Sequence, residues 1–183
     1  MAAIRVHPVN DYYFAITENR HKSLQFWDFR KIGADFKEPV HRRTFQRVQH
    51  GVNFSSDGSA LLTVGRDDYV RVFHDAVNSF YRDEVKIAHS NNTGIWICDF
   101  KPIFHPRFSE IVLTGSLQHK GIDILYLGKD KKTKSHNIHD LGKVKGVHTF
   151  GAFHPKVDDY LFGITYEKMV YYVRVPGEEM EVM

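Results

Sequence analysis

The chain has 183 residues, of which 42% are hydrophobic and 26% charged, and its 25 basic and 22 acidic residues leave a formal charge of +3. This is the balance of an ordinary globular chain, too mildly basic to establish nucleic-acid binding by itself. No stretch of about 18 apolar residues occurs, so no membrane-spanning helix and no signal peptide is expected.

Read in chain order, the sequence falls into four similar units. The first has a short apolar strand at Ile4 to Val6, a turn at His7-Pro8, a second strand at Tyr12 to Ile16 and a third at Leu24 to Asp28. The second unit turns at Ser56-Asp57, between Phe54 and the strands Leu61 to Val64 and Val70 to His74. A third turns at His105-Pro106 and continues in Ile111 to Thr114 and Ile122 to Leu127. The fourth turns at His154-Pro155, followed by Tyr160 to Ile164 and Val170 to Val175. Residues 8, 57, 106 and 155 of these turns stand a constant 49 apart. Weaker fourth strands are expected at Arg43 to Arg47 and Val85 to His89. Short strands at even spacing, rich in the 14 Phe and 9 Tyr of the chain, predict an all-β repeat architecture. A β-sandwich would have to produce the equal steps by accident. The units run roughly over 1–35, 36–80, 81–130 and 131–176, and 177–183 is an acidic tail.

The third strand of the first unit ends in Trp27-Asp28, the pair that names WD repeats, and the second unit, Phe54 to Phe73, resembles a WD blade throughout. Asp67 lies six residues before Phe73, where WD repeats place an Asp that ties down the turn between blades. His21, His119 and Glu167 stand at that place in the other units, which are expected to lose the usual hydrogen-bond network. The fold class implied is an all-β WD-repeat β-propeller, incomplete, with about four blades of seven. The chain opens on an innermost strand and closes on a third strand, so about three further blades are expected upstream.

Three stretches carry a narrower resemblance across almost the whole chain. They are Trp27-Asp28-Phe29-Arg30-Lys31 with Phe54 to Thr63, Asn92 to Ile97 with Phe104 to Phe108, and Gly121 to Leu125. Together they resemble the DNA damage-binding protein 2 and WD repeat-containing protein 76 group, of which this would be a C-terminal fragment. The Thr93-Gly94-x-Trp96 pattern is nearer to the second of these, in which an Arg is expected at the place of Ile95.

The resemblance implies two interfaces. Trp27, Asp28 and Arg30 match the Trp-Asp-x-Arg box of cullin-4 ubiquitin-ligase substrate receptors. Trp27 and Asp28 would anchor the strand end, and the planar guanidinium of Arg30 would project to contact the ligase adaptor, damaged-DNA-binding protein 1. The loop His89 to Trp96 precedes an innermost strand and so belongs at the mouth of the central channel. It corresponds to a hairpin that pushes an apolar wedge into a duplex, with Gly94, Ile95 and Trp96 at the tip. Trp96 could stack on a base or, equally, pack between blades. His41, Arg42, Arg43, Arg47, Lys143 and Lys145 lie in segments leading into innermost strands and could track phosphates without reading sequence.

Other chemistry finds little footing. His7, His105 and His154 recur with Pro and are turn residues. His136 and His139 stand in a polar connection with no cysteine near them, so no metal site is expected. Cys98, the sole cysteine, excludes an intrachain disulfide, fits a reducing compartment and belongs in or beside a strand rather than at a nucleophilic site. No glycine-rich phosphate loop or paired carboxylates occur, so neither an enzyme nor a cofactor is expected. The sequence therefore predicts a nuclear WD-repeat protein that binds damaged or distorted DNA and acts as a cullin-4 substrate receptor, with histones as further partners. The alternative is a scaffold for a protein or histone peptide with no affinity for DNA.

Overall fold

The computed structural model describes residues 3–33, 38–79, 84–93, 99–118, 121–127, 133–138, 147–156, 160–165 and 170–174. They form four antiparallel sheets, each built from consecutive strands. The first sheet holds β1 (Ala3–Val6), β2 (Tyr13–Glu18), β3 (Ser23–Asp28) and β4 (His41–Thr44). The second holds β5 (Gln49–Phe54), β6 (Ala60–Gly65), β7 (Tyr69–His74) and β8 (Glu84–Ala88). In the third are β9 (Ile103–Phe104), β10 (Ile111–Gly115), β11 (Ile122–Leu127) and β12 (Thr133–Ile138). β13 (His148–Phe153), β14 (Tyr160–Thr165) and β15 (Val170–Arg174) make the fourth.

The sheets stack face to face in chain order. Ala15, Leu24 and Phe26 of the first pack against Val52, Phe54, Leu61 and Phe73 of the second. The opposite face of the second sheet, through Leu62, Val64, Val70 and Val72, meets Phe104, Val112 and Leu125 of the third. Leu113 and Ile124 on the far side of the third sheet then pack with Phe153 of the fourth. A strand with a neighbouring sheet on each side needs apolar residues at successive positions, not at alternate ones. Every residue of β6 and of β10 is buried accordingly, and the four blades form an incomplete WD-repeat β-propeller. β1 is the contrast: Ile4 is 55% and Val6 54% exposed, on the face of the first sheet that looks away from the second.

Several expected features shift. The outermost strand of the first sheet is His41–Thr44, two residues ahead of the expected Arg43 start. It ends where Phe45 donates its N–H to the Lys22 carbonyl at 2.9 Å. His136, expected in a connection, lies instead on β12, paired in backbone register with Ile124 of β11; His139 is outside the described residues.

The recurring His-Pro turn has a specific cause. His7 Nδ1 accepts hydrogen bonds from the backbone N–H groups of Val9 (3.3 Å) and Asn10 (3.0 Å). The imidazole is thereby fixed with its proton on Nε2. That group donates to the Gly58 carbonyl of the next blade at 3.2 Å. His105 caps its own turn in the same way, accepting from Arg107 and Phe108 at 3.1 and 3.3 Å, and His154 accepts from Lys156 at 3.1 Å. The second unit lacks the histidine, and Asp57 takes over, accepting from the Ser59 N–H at 3.0 Å.

Candidate functional site

The antiparallel register divides the stack into two ends. At one lie the turns 7–12 and 55–59, joined by the contact between His7 and Gly58, together with Asp28 and the short helical turn Phe29–Lys31 that follows β3. At the other lie the turn Arg66–Asp68, the segment Phe45–Val48 and the connection from His89 toward β9. Arg66 N–H donates to the Val48 carbonyl at 3.1 Å, and His89 N–H to the Asp68 carbonyl at 3.0 Å.

At the first end the Trp-Asp-x-Arg box folds on itself. Asp28 caps the helical turn by accepting the Arg30 N–H at 3.0 Å. The same carboxylate takes a two-point contact from the Arg30 guanidinium, through Nε at 3.0 Å and Nη2 at 2.8 Å. The guanidinium also lies 4.8 Å from the centroid of the Tyr12 ring and donates to the Tyr13 hydroxyl at 3.2 Å. This contact pulls the Asp28 carboxyl below and pushes the Arg30 guanidinium above their ordinary pKa ranges. Arg30 still has more than half of its side chain exposed (54%). The projecting Arg expected from the sequence is thus an Arg braced against Asp28, with Tyr12, Phe29 and Ile32 exposed around it. Trp27 is half-buried, donates Nε1–H to Gln25 at 3.0 Å and stacks with Phe14.

The first blade, one of three expected to lose the network, has another in its place; His119 and Glu167 lie outside the described residues. Glu18 accepts from Gln25 Nε2 at 2.7 Å and from Ser23 Oγ at 3.3 Å, and lies 2.7 Å from His21 Nδ1. With the bond from Trp27 to Gln25, this chain runs from the turn to the middle of β3. In the second blade Asp67 pairs with Arg71 inside its own hairpin. The neighbouring Asp68 does the reaching, accepting the backbone N–H of Asn91 at 2.8 Å and of Asn92 at 3.1 Å.

Arg42 and Arg43 sit on β4, the outermost strand. Arg43 is bound to Glu84 of β8 and lies over the rings of Phe45 and Phe73. Glu84 also lies 3.2 Å from Arg71 Nε, so Arg43, Glu84, Arg71 and Asp67 form an ion network across two blades. Arg42 is nearly half exposed and approaches Glu38 at 3.8 Å. Arg47 is exposed just ahead of β5. Gly94, Ile95, Trp96, Cys98, Lys143 and Lys145 lie outside the described residues.

Sequence reading missed the cluster that holds the second end. Asp99 receives Arg66 Nη2 at 3.0 Å and the Thr93 hydroxyl at 3.3 Å, and lies 2.9 Å from His50 Nδ1. Burial alone would raise its pKa, but the bonds from His50 and Arg66 outweigh burial and hold it at about 2. His89 bridges to the third blade, 3.0 Å from Asp123 and 2.6 Å from Asn91 Oδ1. No fixed spacing announces this set, because its members come from two strands, β5 and β11, from the turn after β6 and from the connection after β8. Among the described residues, no group of three or more His, Cys, Asp or Glu could hold a metal ion.

No family model matches the chain. It is similar to the DNA damage-binding protein cmr1 of Neurospora crassa, 28% identical over 113 residues, which cover 53% of this chain and 21% of that protein. In structure it is similar to the β-propeller domain of Cps50 (Swd1) from Myceliophteria thermophila, with a TM-score of 0.70 and 12% identity. That match covers 94% of this chain and 51% of the other. The chain thus spans about a fifth of the curated relative's length and about half of the propeller domain. What these likenesses and the four stacked sheets establish together is a WD-repeat β-propeller chain.

Proposed function

We propose that the chain belongs to a nuclear WD-repeat protein that binds damaged or distorted DNA and serves as a substrate receptor for a cullin-4 ubiquitin ligase. The observation that carries the DNA reading is the similarity to a relative named for binding damaged DNA. The geometry is compatible with two partners held apart. The box of Trp27, Asp28 and Arg30 lies at one end of the strands, and the connection from His89 lies at the other. In this reading the 94–96 segment supplies the wedge, while Arg42, Arg47, Lys143 and Lys145 supply phosphate contacts; Arg43, already bound to Glu84, contributes less. The ligase adaptor docks on Arg30, and histones are candidate neighbours on chromatin.

The scaffold reading has one observation in its favour. Positive charge at the end of the strands where His89 lies is partly balanced, Arg66 by Asp99 and Arg71 by Asp67. Fluorescence anisotropy of the full-length protein with lesion-bearing and undamaged duplexes, at several salt concentrations, separates the two. DNA binding gives tighter capture of the lesion duplex and affinity that falls steeply with salt. Flat signals for both duplexes leave the scaffold. For the adaptor, Arg30→Ala is expected to abolish co-purification while the protein stays folded, with a lower thermal melt because Asp28 loses its two-point contact, and retained binding removes that role.

A further inference from the structure

We infer that the Arg66–Asp68 turn of the second blade is a positioning platform that fixes both ends of the connection between β8 and β9. Asp68 stands in the left-handed region, with φ of 59°. This conformation is disfavoured for most side chains and suits Asp better than most. There Asp68 Oδ1 accepts two successive backbone N–H groups, those of Asn91 and Asn92, at the start of the connection. Two residues earlier in the same turn, Arg66 donates to Asp99 at the far end of the connection. Thr93 and Asp99 are themselves joined side chain to side chain at 3.3 Å. One three-residue turn therefore grips both ends of the segment and holds them in contact with each other. His50 on β5 and His89, through Asp123, tie this grip to the second and third blades.

Such a clamp removes ordering cost from whatever the connection binds, because its end-to-end closure is complete before a ligand arrives. Asp68 touches no ligand in this scheme; it acts through the segment it holds. The consequence for DNA rests on the reading proposed above, whereas the clamp itself does not.

The test uses three forms of the full-length protein: wild type, Asp68→Gly and Asp68→Asn. Glycine accepts the left-handed backbone without strain but removes the acceptor, and asparagine keeps both. Hydrogen exchange is followed in peptides covering 89–99, alongside anisotropy with an abasic-site duplex and a matched duplex. The expected result is faster exchange in 89–99 for Asp68→Gly, with β6 and β10 unchanged. Affinity for the abasic duplex drops about ten-fold, equivalent to about 1.4 kcal/mol, and Asp68→Asn restores both readouts. Unchanged exchange in Asp68→Gly overturns the clamp. Faster exchange with undiminished affinity overturns its role in positioning for binding. If wild type binds neither duplex, the DNA reading fails, and the exchange contrast still decides the clamp.

Discussion

Asp28 and Asp99 show how much a carboxylate's neighbours decide what it does. Asp28 was legible from the sequence as half of the Trp-Asp pair, and Arg30 as the basic residue two places on. The guanidinium was expected to project outward; it returns to Asp28 while about half of the side chain stays exposed. Arg43 was legible as basic, but its partner Glu84 lies 41 residues away on another blade, beyond the reach of any local pattern. Asp99 was not legible at all, since its role depends on His50 and Arg66 arriving from the second blade. Its folded pKa of about 2 lies below the ordinary 3.8. The unfolded chain therefore takes up this proton first as the pH falls. The stabilisation is complete above pH 3.8 and is lost as the pH drops toward 2, amounting to about 2 kcal/mol at most, less the solvent screening of a partly exposed group. Asp99→Asn is expected to lower the melting temperature at neutral pH and to narrow its gap from wild type below pH 3. A gap that stays constant across that range contradicts the assignment.

The turn from the first to the second strand of each blade is the element that gives the repeat its period, and its chemistry was legible in part. Sequence spacing identified His7, His105 and His154 as turn residues; that each ring accepts backbone N–H groups through Nδ1 required coordinates. Burial lowers the pKa of His7, although the contacts with Gly58 and Asp57 pull the other way, and burial together with Arg107 lowers that of His105. The folded state thus keeps both rings neutral, whereas the unfolded chain protonates them near pH 6.5. Their stabilisation is whole above pH 6.5 and decays as the pH falls below it toward the folded values, at up to about 1.4 kcal/mol per pH unit for each ring. Thermal melts from pH 7.5 to 5 are expected to fall, and a His7→Gln, His105→Gln variant is expected to melt lower at pH 7.5 with a flatter pH profile. Gly58 tests the same turn by steric means. Its φ is +73°, and a Cβ there would lie 2.2 Å from His7 Cε1. Gly58→Ala should therefore cost more than the about 1–2 kcal/mol of left-handed strain alone, measurable by chemical denaturation; a neutral effect would mean the two turns do not meet. His136 was placed in a polar connection because polar residues surround it; the backbone ladder with β11 makes it part of a strand.

Across the whole molecule, the constant 49-residue step made the four-sheet stack legible, because a repeat that packs only against its neighbours must place equivalent turns at equivalent positions. The outer face of the first sheet is a different matter. Among the described residues, the exposed large hydrophobic side chains, Ile4, Val6, Val9, Tyr12, Phe29 and Ile32, belong to this sheet and its turns. Concentrated apolar exposure of this kind favours association. Val6→Lys is expected to reduce concentration-dependent association of the 183-residue chain in sedimentation velocity, with the melt unchanged; association unaffected by the change would place the contact elsewhere. The separation of the two candidate interfaces is likewise a property of the stack, set by strand direction, and neither motif carries it alone. Its most direct test is a hydrogen-exchange footprint of the full-length protein on a lesion-bearing duplex. The account predicts protection at 45–48, 66–68 and 89–93, with 7–12 and 28–32 exchanging as in the free protein. Protection centred on 7–12 and 28–32, with the other end unaffected, would contradict it.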